Sequence, residues 1–258
     1  MMYNYLLTIQ YDGSRYKGWQ RQGEEGGNTI QSKIENVLAE MVGKHVGLIG
    51  SSRTDAGVHA LDQKANFRIA ERLAESEVQD YLNRYLPEDI SVTDVTLVPR
   101  KFHARFHAKS KTYLYRIWNR KYPNPIERKY SMHIKEPLDL AAMRKASQYF
   151  IGAHDFTAFS NAKSKKKSMV REIYSIEMSE KEGFIEIRIR GNGFLHNMVR
   201  KIVGALIQVG LGEMEAETIP EIIESKDRSR VGLLADACGL FLEKVELDTQ
   251  FLEGEKAI

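Results

Sequence analysis

Apolar and polar positions alternate from the first residues of the chain. Tyr3, Tyr5, Leu7 and Ile9 interleave with Asn4, Leu6, Thr8 and Gln10, the two-residue period of a strand with at least one buried face. Asp12-Gly13 ends it, and Tyr16 to Gln22 with the glycine-rich 23–27 reads as an irregular, aromatic and amide-rich connector. Asn28, with Gln31 three residues on, is placed to cap a helix whose buried stripe is Ile30, Ile34, Val37, Leu38 and Met41, closed by Gly43. Val46, Leu48 and Ile49 read as a strand running into Gly50, and Ala65, Phe67 and Ile69 alternate with Lys64, Asn66 and Arg68 on the way out. A helix from about Ser76 with Val78, Leu82 and Tyr85 or Leu86 inward, then alternation through Ile90, Val92, Val95 and Leu97, completes the order βαββαβ.

The second half repeats that order. Tyr113, Tyr115 and Ile117 alternate with Leu114, Arg116 and Trp118; a proline-containing loop follows, then a helix over about Asp139 to Phe150. Strands near Glu172 to Ser179 and Phe184 to Arg190 flank the turn Glu180 to Gly183. A helix opens after Gly191-Asn192-Gly193, a shorter one starts at Thr218-Ile219-Pro220, and Leu240, Leu242, Val245 and Leu247 give the closing strand. The pattern predicts an α+β protein of two βαββαβ-like halves, 1–105 and 106–258, forming a mainly antiparallel mixed sheet with flanking helices. The boundary falls in Arg100 to Ser110, a basic and aromatic bridge with no clean period.

Composition narrows the function classes. With 258 residues and 42% hydrophobic content the chain buries a sizeable core. Its longest apolar stretch, Met198 to Val209, is broken by Arg200, Lys201 and Gln208, so no membrane span is expected. The start Met-Met-Tyr-Asn-Tyr lacks the pattern of a secretory signal, and a single cysteine, Cys238, suits a reducing compartment; the expected location is cytoplasmic. Net charge is only +3, but cations crowd into Arg100 to Lys111 and Lys163 to Arg171, as in a protein that grips a structured polyanion.

Chemistry concentrates in Gly50 to Ala60, where Arg53, Asp55 and His59 stand between two apolar runs. Gly50 and Gly57 allow a sharply folded loop there, and we read it as an active-site loop. Gly191-Asn192-Gly193-Phe194-Leu195-His196 lacks the third glycine of a dinucleotide fingerprint and sits in an antiparallel context, so no nucleotide cofactor is expected. His103 and His107 have helical spacing, but the cations around them oppose a metal ion and favour phosphate. Phe102, Phe106 and Tyr113 interleave with Arg100, Lys101, Arg105, Lys109 and Lys111, a mix of stacking surfaces and phosphate partners suited to RNA; Lys165, Lys166 and Lys167 add a second basic cluster. His196 and Arg200 share a polar stripe on an otherwise apolar helix.

Gly18-Trp19-Gln20-Arg21-Gln22, Arg53-Thr54-Asp55-Ala56-Gly57-Val58-His59, Phe102-His103-Ala104-Arg105 and Asn197-Met198-Val199-Arg200 occur in one order, and with them the chain resembles the TruA family of tRNA pseudouridine synthases over nearly its whole length. The resemblance implies the pseudouridine synthase fold, an active cleft between the halves, a homodimer, no cofactor, and action on uridines 38, 39 and 40 in the anticodon arm of tRNA. By position, it makes Asp55 the nucleophile, Arg53 the residue that takes the place of the flipped uridine, Tyr113 the aromatic partner of the target base and Arg200 the partner of Asp55. Ser52 departs from the pattern, which commonly has glycine before the arginine. Two other readings stay open at this level: an RNA-binding or chaperone protein without catalysis, and a synthase of the same fold acting elsewhere in RNA. Whether Asp55 attacks C1′ of the ribose or C6 of the base, or assists elimination, is equally open.

Overall fold

In the computed structural model, which describes residues 2–23, 27–161, 168–248 and 250, the opening alternation forms β1, Tyr3–Tyr11. Helix α1, Ile30–Val42, follows, then the two-residue strand β2, Ile49–Gly50, the long strand β3, His59–Ile69, helix α2, Glu75–Tyr85, and β4, Ile90–Val98. β1 pairs antiparallel with β3 on one side and β4 on the other, which makes it an inner strand. Both of its faces are therefore covered: Tyr5, Leu7 and Ile9 are fully buried on one, and Asn4 and Leu6 are buried on the other.

Helix α1 is capped one position later than Asn28. Thr29 accepts from the Ser32 N–H and the Ser32 hydroxyl faces back to the Thr29 N–H, while the Asn28 side chain donates to the Arg15 carbonyl at 2.7 Å. Gly43, at φ 71°, ends the helix as expected. In α2 the inward residues are Val78 and Leu82, followed by Leu86; Tyr85 turns out to solvent.

The chain divides into two units, residues 1–109 with 242–258, and 110–241. The second unit contains most of β5, Ala108–Asn119, then β6, Met132–Ile134, helix α3, Leu140–Ser147, β7, Gly152–Asp155, β8, Val170–Lys181, β9, Phe184–Gly191, and helices α4, Met198–Gly210, and α5, Thr218–Ser225. Its strands run in the order β5-β9-β8-β7 with every neighbour antiparallel, and β6 lies parallel to β5. The last strand, β10, Leu240–Leu247, begins in the second unit and enters the first, where the Val245 N–H donates to the Asp62 carboxylate at 2.8 Å. Each unit is thus α+β with mainly antiparallel strands and flanking helices, as predicted. β6 and β7 are additions to the expected order, because segments of three and four residues carry too few alternations to be read. No helix among the described residues is long and apolar enough to cross a membrane.

The face of the first unit that carries Leu6 also carries a buried amide pair. Asn4 donates to the carbonyls of Pro99 and Phe102, both at 3.0 Å; Asn66 donates to the Asn4 side-chain oxygen at 2.9 Å and accepts from the Ala104 N–H at 2.8 Å. Around the pair Leu6, Val98, Phe102 and Ala104 form an apolar cluster with Leu247 packed against it. This clamp corrects one expectation: Phe102 is fully buried and offers no stacking surface, whereas Phe106 is exposed. Replacing Asn66 by Ala strands the Ala104 N–H and the Asn4 carbonyl in the core, each unpaired group of this kind costing about 1–3 kcal/mol. The expected outcome is a lower urea midpoint with an unchanged slope, together with faster proteolysis at residues 99–106.

Candidate active site

The segment from Ser51 to Val58 links β2 to β3 and has no regular structure of its own, so other parts of the chain must set its path. The irregular connector supplies them. Trp19, almost fully buried, donates its backbone N–H to the Thr54 carbonyl at 3.1 Å, and the Gly57 N–H donates to the Tyr16 carbonyl at 3.3 Å. The Thr54 hydroxyl meets the Tyr11 hydroxyl at 2.8 Å. Gly18, at φ 91°, runs so close that an added Cβ would lie 2.5 Å from the Thr54 oxygen and 3.0 Å from the Asp55 carbonyl carbon. At the far end Gly13 presses on the Val58 carbonyl in the same way, and its N–H donates to Nδ1 of the buried His59 at 3.1 Å. That ring nitrogen also lies 3.2 Å from the Asp12 carboxylate. The Asp55 carbonyl closes a turn by accepting from the Val58 N–H at 3.2 Å.

A buried glutamine holds the near end. Gln63 of β3, fully buried, accepts from the Ser51 hydroxyl at 2.9 Å and the Ser52 N–H at 3.3 Å, and donates to the Ser52 carbonyl at 2.9 Å. A second polar group supports the connector from behind. Gln31 of α1 accepts from Gln20 Nε2 and the Arg21 N–H, and donates to the Leu48 carbonyl and to Glu35. Glu35, only 3% exposed, also accepts from the Leu48 N–H at 2.9 Å and pairs with Arg21 at 3.1 Å. A buried carboxylate persists only with such partners. The outcome is a loop with a fixed backbone on which Arg53 is exposed and Asp55 half-buried.

In the second unit, Tyr113 of β5 is 5% exposed, and its ring meets Phe194 edge-on with centroids 5.1 Å apart. Phe194 follows the glycine-asparagine-glycine turn, whose Asn192 exchanges two hydrogen bonds with the Glu172 backbone at 3.0 and 3.1 Å. The turn docks the start of α4 onto β8 and serves packing. Asn197, in the left-handed conformation at φ 62°, precedes α4, and Arg200 sits in its first turn. Nε of Arg200 donates to the Ala235 carbonyl at 2.7 Å while its own carbonyl accepts from the Ala235 N–H at 3.2 Å, which fixes the plane of the guanidinium. Below it the buried Lys201 reaches the Ala158 carbonyl, and burial, then the charge of Arg228, lowers its pKa.

A sequence model described as tRNA pseudouridine synthase matches residues 7–107 and 146–248. The chain is 62% identical over 245 residues to tRNA pseudouridine synthase A 2 of Bacillus anthracis, covering 95% of this chain and all of that one. It is 63% identical over 244 residues to tRNA pseudouridine synthase A of Bacillus sp. (strain KSM-64), covering 95% and 99%, and 45% identical over 245 residues to tRNA pseudouridine synthase A 2 of Clostridium tetani, covering 95% and 99%. The chain belongs to the tRNA pseudouridine synthase family.

The reaction of that family is the isomerisation of uridine to pseudouridine. Arg53 and Asp55 stand together on the loop, two residues apart; Arg105 is exposed in the first unit, and Tyr113 and Arg200 belong to the second. Lys165, Lys166 and Lys167 lie outside the described residues. Among the described residues no cluster of His, Cys, Asp or Glu is built to hold a metal ion. Nδ1 of His103 accepts from the Arg105 N–H and Nδ1 of His107 from the His103 N–H. Gln63, Gln31 and Glu35 were not singled out from sequence as parts of the site. Their signal was polarity at inward positions: Gln63 is in register with Ala65 and Phe67, and Glu35 neighbours Ile34.

Gly18→Ala tests the support of the synthase loop. Its Cβ meets the Thr54–Asp55 backbone, so Asp55 must shift, and a misplacement near 1 Å costs on the order of a hundredfold in rate. Gly23→Ala, also at positive φ but with nothing within 4 Å, is the control. Pseudouridine formation should collapse in the first variant and persist in the second, with both folded by circular dichroism.

Proposed function

We propose that this synthase converts uridines 38, 39 and 40 in the anticodon arm of tRNA to pseudouridine, with Asp55 as the nucleophile. The observation that carries the reading is a half-buried carboxylate on a loop whose backbone is locked by Gly18, Trp19 and Gln63. The isomerisation breaks the N1–C1′ bond, turns the uracil and joins C5 to C1′; the C5 proton leaves and N1 gains one, so no electrons are exchanged. A carboxylate suffices, whether it attacks C1′ or C6 or assists elimination, because each route draws on the charge of the ionised form.

The target base must leave its stack, at a cost of a few kcal/mol. Arg53, exposed beside Asp55, takes the place of the departing base, and Tyr113, its ring braced by Phe194, receives it. Arg200 pairs with Asp55 in the working enzyme, its guanidinium oriented by the Nε hydrogen bond to the Ala235 carbonyl. Arg105, Lys165, Lys166 and Lys167 engage phosphates, releasing counterions. The enzyme works as a cytoplasmic homodimer, which a mass measurement by light scattering checks.

The deciding experiment measures tRNA affinity and pseudouridine yield on the same preparations, with the modified positions mapped. Asp55→Asn keeps shape and removes charge: yield in a single turnover should fall below detection while tRNA binds as tightly as before or slightly more so, since a repelling anion is gone. Arg200→Lys keeps charge but loses the fork, and its turnover should fall at least tenfold. Product from a verified Asp55→Asn protein would remove the assignment, and pseudouridine at other positions would redirect the substrate.

A further inference from the structure

Phe106 has 76% of its surface open, yet it is not a loose side chain. Its ring lies on that of His103 with centroids 4.1 Å apart and planes 26° from parallel. The turn beneath is closed by the N–H groups of Phe106 and His107, which donate to the His103 carbonyl at 3.0 and 3.1 Å. Both imidazoles are pinned through Nδ1, and His107 stacks in turn on the buried Phe102 at 5.4 Å. Phe102 and Ala104 are tied to β1 and β3 through Asn4 and Asn66. An apolar ring kept in water, backed on one face by another ring and held on a hydrogen-bonded turn, is pre-organised to stack.

The surroundings select the occupant. Arg100, Lys101, Arg105 and Lys109 are exposed around it, and residues 99–111 include no acid; Asp248 pairs with Lys109 at 3.0 Å. The neighbouring apolar residues, Phe102 and Ala104, are buried, so of these three only Phe106 offers an apolar surface to a partner. Burial, followed by the charges of Arg68, His107 and Arg105, lowers the pKa of His103.

We propose that Phe106, backed by His103, is a stacking platform for one unpaired base of the bound tRNA, with Arg105 on an adjoining phosphate. The proposal rests on the reading of the chain as a tRNA-modifying enzyme. Affinity for an unmodified tRNA transcript is measured over a salt series for the parent, Phe106→Ala, Phe106→Leu, Phe106→Trp and Arg105→Ala. Phe106→Ala should weaken binding roughly 5- to 100-fold at each salt concentration, leaving the salt slope unchanged, because stacking releases no counterions. Phe106→Leu should weaken it likewise although apolar area is kept, Phe106→Trp should bind as the parent does, and Arg105→Ala should flatten the slope by about one. Pseudouridine yield by the parent protein on the same transcript tests the enzymatic reading by itself, so loss of the platform is separable from loss of that reading. Parental affinity in Phe106→Ala or Phe106→Leu would overturn the platform. A change in mass by light scattering in Phe106→Ala, with tRNA affinity kept, would overturn it in favour of contact with a second copy of this chain.

Discussion

Backbone pressed against backbone governs this first unit. A loop carboxylate that is to be held still without being buried cannot rely on side-chain packing alone, which would bury it. Here Gly13 and Gly18 leave no room for a Cβ between the connector and residues 54–58, so the main chain does the holding. The same connector fixes α1, because the carbonyls of Gly18 and Trp19 accept from the N–H groups of Ile30 and Gln31, donors that a helix start leaves without internal partners. One stretch thus sets both the loop and the helix behind it.

β3 extends that logic across the sheet. Successive side chains of a strand alternate in direction, so Gln63 and Asn66, three apart, point to opposite faces. Gln63 grips Ser51 and Ser52 at the entrance of the Arg-Thr-Asp loop, and Asn66 grips Ala104 in the segment that presents Arg105 and Phe106. Both amides are fully buried with oxygen and nitrogen each hydrogen-bonded, so each fixes one geometry where an apolar residue would permit several. The Arg-Thr-Asp loop and the segment of Arg105 and Phe106 are both referenced to one strand.

Periodicity made the long elements legible. β1, α1, the β8–β9 pair and β10 announce themselves because each repeats its pattern over eight or more residues. The short β6 and β7 do not, and the cap of α1 moved by one residue because Thr29 and Asn28 are both competent caps and only the fold gives Asn28 another acceptor at Arg15. Of the site, Asp55 and Arg53 stood out as charges between apolar runs, whereas Tyr113 and Arg200 were marked by resemblance, since an aromatic on a strand and an arginine on a helix are ordinary by pattern. Phe102 and Phe106, four apart in a basic stretch, look equivalent in sequence; the asparagine pair decides that one goes in and the other stays out.

Ser52 shows why a departure from the family's pattern leaves the loop intact. Glycine is required where φ is positive, as at Gly18 and Gly57, at 91° and 80°. Among the described residues the non-glycine positions of that kind are Glu182, Asn197 and Lys226, so Ser52 has an ordinary backbone and strain gives no reason to exclude a side chain. What the position needs is the pair of backbone hydrogen bonds to Gln63, and serine offers the same N–H and carbonyl as glycine. A side chain at 52 therefore changes the surface next to Arg53 without changing the path of the chain toward Asp55. On this strand-to-loop junction, the surface beside Arg53 and the placement of Asp55 are set by different atoms, and the first is open to variation while the second is held.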